Sequence, residues 1–104
     1  MITEIVQFKL PEDMQRARVI ELFEATVQRW QSNGDLIRKQ YLYDPATHTG
    51  GGIYLWTSLD AAKAAHDSAW CDMAEEIYGD RPGFTYFETP LVVDNAAGTV
   101  LRNV

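Results

Sequence analysis

The chain has 104 residues, 46 % of them hydrophobic and 23 % charged, a globular mix that suits one domain, 1–104, with a modest core. Fifteen acids against nine bases leave a net charge of −6, which excludes the basic stripe that nucleic acid or an anionic membrane surface requires. The one cysteine, Cys71, excludes an internal disulfide and a cysteine-rich metal centre, and reads as a reduced structural thiol. No stretch approaches the roughly 20 apolar residues of a membrane span, and MITEIVQFKLPED has no apolar signal core, so the expected compartment is the cytoplasm.

Residues 2–9, ITEIVQFK, are rich in β-branched and aromatic types and predict a strand. Pro11-Glu12-Asp13 is expected to open a helix, with proline and acids in its first turn. Ile20, Phe23, Val27 and Trp30 fall at spacings that place them on one helical face. Asn33-Gly34 is expected to end this helix, with Gly34 as a left-handed cap. LIRKQYLY (36–43) predicts a second strand, ATHTGGG a loop, and GIYLW (52–56) a third strand that closes a hairpin with the second. Gly50–Gly52 lead into a strand and lack the following lysine of a phosphate loop, so they read as a flexible hairpin lead-in. Thr57 or Ser58 caps the next helix, which runs to about Tyr78 and stops at Gly79. FTYFETPLVVD (84–94) predicts a fourth strand, with Pro90 at a bulge or edge. In the tail, 96–104, Val100 and Leu101 either add a short strand or clasp a partner.

The order β-α-β-β-α-β is that of a ferredoxin-like α+β fold, an antiparallel sheet with both helices on one face. Tyr54 and Trp56 alternate with Ile53 and Leu55, and Phe84 and Tyr86 with Phe87, so both faces of the sheet carry apolar residues. Helices cover only one of them, and a homodimer packed sheet against sheet is the simplest closure.

Two histidines and no cysteine cluster give no metal motif. His48 lies in a turn and reads as a loop residue. His66 lies in AAKAAHDSAW, on the helical stripe Ala62, His66, Trp70, Met73, Ile77 that faces the sheet. A core histidine bonded to a carbonyl and a pocket histidine are both compatible with that position. Asp67-Ser68 are poor helix formers and good caps, so the helix is expected to break there and leave His66 at a bend. Trp30, Trp56 and Trp70, with Tyr41, Tyr54, Phe84 and Tyr86, either form plain core or line an apolar cavity for a small hydrophobic or aromatic ligand. Arg81 is expected to cap the carbonyl end of the second helix, the alternative being a charge carried to the pocket mouth.

GGIYLW, the W-x-S-x-x-A run at Trp56, Ser58 and Ala61, and the PLVVDN ending carry a resemblance. Over about residues 2–95 the chain resembles the dimeric α+β-barrel proteins of the antibiotic-biosynthesis monooxygenase superfamily, and is most similar to its YdhR-like branch. The resemblance implies a homodimer with a pocket between helices and sheet in each subunit. It also implies oxidation of electron-rich phenols or anthrones by dioxygen, with no metal or other cofactor. Carried onto this chain, His66 is the base or the hydrogen-bond partner of the substrate's phenol, and Trp70 and Tyr54 position the rings. Counting from Trp56 places the family's usual histidine at Ala65, an offset from His66 that a bend at Asp67-Ser68 absorbs. Glu75 stands about where the haem-degrading branch has its iron-binding histidine, and Gln7 is the nearest amide to that branch's first-strand asparagine, so haem degradation is not expected. The readings carried forward are a cofactor-independent monooxygenase of a small phenolic or quinol-type aromatic, a non-catalytic small-molecule-binding dimer, and a lyase or isomerase with His66 as proton shuttle.

Overall fold

The computed structural model describes residues 1–102; the last two residues of the predicted tail lie outside the described residues. The first strand, β1 (Ile2–Lys9), forms as expected. Along it Glu4, Val6 and Phe8 are buried and alternate with more exposed positions, the period of two that a half-covered strand shows.

Three expectations for the next segment are corrected. The helix does not open at Pro11: Met14 N donates to Pro11 O at 3.0 Å, closing a turn that lets Leu10 and Met14 pack on the core, and α1 starts only at Arg16 (Arg16–Glu24). The helix is interrupted at Ala25-Thr26 and resumes as α2 (Val27–Gln31). The interruption turns the predicted stripe, so Ile20 and Val27 are exposed, while Val19 and Trp30 are buried. Thr26 holds the break, its Oγ1 donating to Phe23 O at 2.7 Å and lying 2.7 Å from Tyr41 Oη. Gly34 is not among the positive-φ glycines, and α2 ends on Ser32 in a right-handed conformation. The stop comes from Asn33, whose side-chain oxygen accepts from Asp35 N at 3.0 Å.

The predicted hairpin is present as β2 (Leu36–Asp44) and β3 (Thr49–Trp56). Gly50–Gly52 are not a flexible lead-in; they are buried strand residues of β3, paired with Phe8, Gln7 and Val6. A Cβ on Gly50 would come 3.0 Å from the Phe8 ring, and one on Gly51 would come 1.9 Å from Val6 O. At Gly50 and Gly51 the neighbouring β1 leaves no room for a side chain.

The second helical region breaks where expected. Ser58 caps α3 (Leu59–Ala65) by accepting from Ala61 N. His66 ends it with φ −110° and ψ 54°, and Asp67 then caps α4 (Ser68–Tyr78) by accepting from Trp70 N at 2.9 Å. Gly79, with φ 82°, closes α4 in the left-handed region. Arg81 does not cap carbonyls; it pairs with the side chains of Asp72 at 2.7 Å and Glu75 at 3.2 Å.

The predicted strand 84–94 is two strands. β4 (Gly83–Glu88) pairs with β1, and Thr89-Pro90 ends the ladder, since proline offers no N–H. β5 (Leu91–Asp94) then leaves the sheet and pairs with β6 (Thr99–Arg102), so the tail adds a strand to a separate hairpin. Arg38 reaches Asp94 at 3.1 Å and ties this hairpin to β2.

The main sheet has the order β2-β3-β1-β4, fully antiparallel, which is the ferredoxin-like arrangement. Inner-face residues of the sheet and Val19, Trp30, Ala62, Ala74 and Tyr78 of the helices form one core cluster. The register sets Lys39, Tyr54, Glu4 and Tyr86 in one row across the inner face, one residue from each strand.

A candidate site built around a buried histidine and carboxylate

The middle of that row is polar. Glu4 is 0 % exposed and His66 6 %, and His66 Nδ1 lies 2.7 Å from Glu4 Oε1. Trp56 Nε1 donates to the same oxygen at 2.8 Å. A buried carboxylate without partners costs several kcal/mol, so these two groups are what allow Glu4 to stand in the core. Tyr86, its neighbour in the strand row, is a third polar group against the carboxylate.

The helix break supplies this geometry. Asp67 restarts the helix so that Trp70 comes back over the imidazole, with ring centroids 4.3 Å apart. Tyr54 stands 4.6 Å from the same ring, Trp30 5.1 Å and Phe84 5.6 Å. His66 is thus enclosed by aromatic side chains from both helical regions and from the sheet.

Beyond those rings lies a cavity of about 40 Å³, space for a few water molecules. Trp30, Lys39, Tyr41, Tyr54 and Trp70 line it, with Phe8 and Tyr78, stacked at 4.2 Å, among its other walls. Four of the predicted site residues (Trp70, Tyr54, Trp30 and Tyr41) therefore meet at one cavity. His66 does not line it; its ring stands behind Trp30, Tyr54 and Trp70, in contact with all three. Trp56 lies further back, on Glu4, and Tyr86 stands beside Glu4 in the sheet row. Trp30 also lines two open clefts, of about 330 Å³ towards β2 and about 390 Å³ towards α4.

Burial and the neighbouring Glu4 push the Tyr86 phenol up to about 12, and burial raises the Tyr54 phenol beyond the usual tyrosine range. Both rings therefore stay protonated at neutral pH and offer O–H groups.

Two residues of the site are absent from the sequence reading. Glu4 and Lys39 look like ordinary charges along the chain, although alternation exposes them. Glu4 shares a strand face with Val6 and Phe8, and Lys39 shares one with Tyr41 and Tyr43, so each charge sits on an apolar face. Lys39 Nζ lies 3.8 Å from the Tyr41 ring centre, 4.5 Å from that of Tyr54 and 4.6 Å from that of Trp30. Its burial, with Arg29 nearby, lowers the ammonium to about 7, with Glu4 opposing the shift. Among the described residues no group of three His, Cys, Asp or Glu side chains is placed to hold a metal ion, and no helix is long and apolar enough to cross a membrane.

No family model and no curated protein matches the chain. Solved structures similar to it include the NE2512 protein of unknown function from Nitrosomonas europaea, at TM-score 0.67 and 14 % identity over 85 % of this chain and 87 % of that one. A monooxygenase from the gene ActVA-Orf6 of Streptomyces coelicolor, in complex with nanaomycin D, gives 0.64 and 16 % over 88 % and 89 %. A point mutant of SnoaB, a cofactor-independent oxygenase from Streptomyces nogalater, gives 0.61 and 16 % over 85 % and 91 %. The chain therefore has the ferredoxin-like α+β fold that these proteins share.

Proposed function

We propose that the chain belongs to the antibiotic-biosynthesis monooxygenase superfamily and acts as a cofactor-independent monooxygenase on a small phenolic or quinol-type aromatic molecule. The observation that carries this reading is the aromatic cavity set against the buried His66–Glu4 pair at the helix break. The fold shared with one protein described as a monooxygenase and another described as a cofactor-independent oxygenase supports it. A ring does not fit in about 40 Å³, so this reading requires Trp30, which lines the cavity and both outer clefts, to turn and open one into the other. With Trp30 turned aside from its place over the imidazole, His66, oriented by Glu4, takes a proton from the substrate. The resulting carbanion or phenolate passes one electron to dioxygen, and recombination with superoxide gives a peroxide anion. Proton return gives the hydroperoxide, which loses water to leave a carbonyl, so CH₂ and O₂ become C=O and H₂O. Exclusion of water by Trp30, Tyr54 and Trp70 protects the anion.

Oxygen uptake with a panel of naphthols, anthrones and quinols tests this. We expect turnover with at least one of them, and His66→Ala to lower kcat by about 10²–10⁴-fold, the usual contribution of a positioned base. Circular dichroism of the variant separates lost chemistry from lost fold, and His66→Gln keeps the volume. If no compound on the panel consumes oxygen, the reading fails. A binding role without turnover uses the same cavity and is favoured by the enclosure of His66 behind three rings; it predicts ligand binding that His66→Ala leaves intact.

The same reading includes a homodimer through the outer face of the sheet and a cytoplasmic setting, which suits the buried free thiol of Cys71. Phe87 is 55 % exposed, and Leu91 and Val93 of the terminal hairpin 54 % and 64 %, apolar side chains that a partner copy would cover. Sedimentation is expected to give twice the 11.8 kDa chain mass at micromolar concentration. A stable monomer there overturns the dimer.

A further inference from the structure

We propose that Lys39 Nζ is the subsite for an anionic oxygen of the ligand, so that the cavity selects aromatic molecules carrying a phenol or enol and holds them as phenolate or enolate. This rests on the proposed function above and names the substrate feature that the site recognises.

The argument starts from the sheet. Lys39 lies on the inner face of β2, opposite Tyr54, and its stem crosses Gly52, where a Cβ would come 3.1 Å from Lys39 Cε. The glycine thus leaves the space the lysine stem uses to bring Nζ into the cavity wall. There Nζ faces the rings of Tyr41, Tyr54 and Trp30. Ring faces attract an ammonium but do not neutralise it. Among the described residues Nζ makes no hydrogen bond and no ion pair, since its contacts are the three rings alone.

Charges around it come from every packed element. Glu4 on β1 acts from the far side of Tyr54 in the strand row, Arg29 on α2 is a like charge, and Tyr41 and Tyr54 on β2 and β3 are phenols held neutral. Glu4 Oε1 is taken by Trp56 and His66, and Glu4 forms no ion pair with Nζ. The cavity therefore presents a cation that lacks an acceptor, and a ligand oxygen with negative charge supplies one. When the amine is neutral the phenol O–H proton passes to Nζ, giving an ammonium–phenolate pair with no other bond changed. Burial lowers the lysine to about 7, so the transfer is balanced for a phenol or enol of similar acidity and is unfavourable for less acidic ones. His66 touches the same Tyr54 and Trp30 rings, so a ligand pinned by its oxygen at Lys39 would lie in a cavity that backs onto the proposed base.

The probe is 4-nitrophenol, whose absorption distinguishes phenol from phenolate, with 4-nitroanisole as its neutral counterpart. The wild-type protein is expected to bind 4-nitrophenol as the phenolate at a pH where the free probe is mostly neutral, and at least tenfold more tightly than 4-nitroanisole. Lys39→Met, which keeps an unbranched stem on the rings, is expected to abolish both the spectral shift and the preference while 4-nitroanisole binding persists. Lys39→Gln is the second variant should the first not fold. Lysine protonation is favoured in the unfolded chain between pH 7 and 10.5, so its cost to folding is full below that window and fades as pH rises through it. Lys39→Met is accordingly expected to raise Tm at pH 6, and by less at pH 9. If wild type binds both probes alike, or the variant still binds the phenolate, the lysine subsite is overturned while the pocket stands. If neither probe binds, the pocket reading falls with it.

Discussion

Glu4→Leu is expected to cost about 3–5 kcal/mol of folding free energy, the range for removing one member of a buried polar pair. The leucine fills the volume but strands two groups: the Trp56 N–H, on a side chain 0 % exposed, and the His66 ring, whose Nδ1 loses its 2.7 Å neighbour. Glu4→Gln keeps an oxygen for Trp56, so its cost is expected to be about 1–2 kcal/mol. Adding His66→Phe to Glu4→Leu is expected to recover much of the loss, because the imidazole is then no longer left without its partner. Urea denaturation of wild type, Glu4→Leu, His66→Phe and the double variant measures this cycle. Additive losses would show that Glu4 and His66 do not act as a pair.

Gly51→Ala is expected to be nearly as damaging, at or above the upper end of the ~1–3 kcal/mol typical of overpacking. The added Cβ would sit 1.9 Å from Val6 O, a main-chain atom of the neighbouring strand that cannot swing away. Relief requires β1 and β3 to separate, and these two are the central strands of the sheet. Gly34→Ala provides the contrast, since nothing lies within 4 Å of its Cβ position and its φ is not positive; it is expected to stay within about 0.5 kcal/mol of wild type. A Gly51→Ala protein as stable as Gly34→Ala would contradict the strand pairing described for Gly50–Gly52.

Both effects arise from residues that a linear reading treats as unremarkable. Glu4 is one acid in ITEIVQFK, and Gly51 the middle of three glycines that suggest a loop. Only the pairing of β1 with β3 makes the first a buried acceptor and the second a close contact. The site divides in the same way. Trp30, Tyr41, Tyr54 and Trp70 are legible as one aromatic group, and the cavity lies among them. Lys39 is not, because a lysine beside Arg38 looks solvated until the register places it opposite Tyr54.

Local chemistry carries what depends on neighbours along the chain. The four strands and their order follow from β-branched runs between turn residues. The break at Asp67 follows from a side chain that caps its own helix, and the stop at Gly79 from a residue free to take φ 82°. Expectation and structure part where distant partners decide. The start at Arg16 and the interruption at Thr26 answer to the packing of Met14 and Val19 and to Tyr41 on β2. The departure of β5 from the sheet is marked by Pro90 and by a partner strand, Thr99–Arg102, that residues 84–94 alone cannot reveal. For His66 the sequence supplied the bend and the aromatic neighbours. The tertiary structure supplied Glu4, because a carboxylate on the first strand becomes a neighbour of the second helical region only when strand and helix pack.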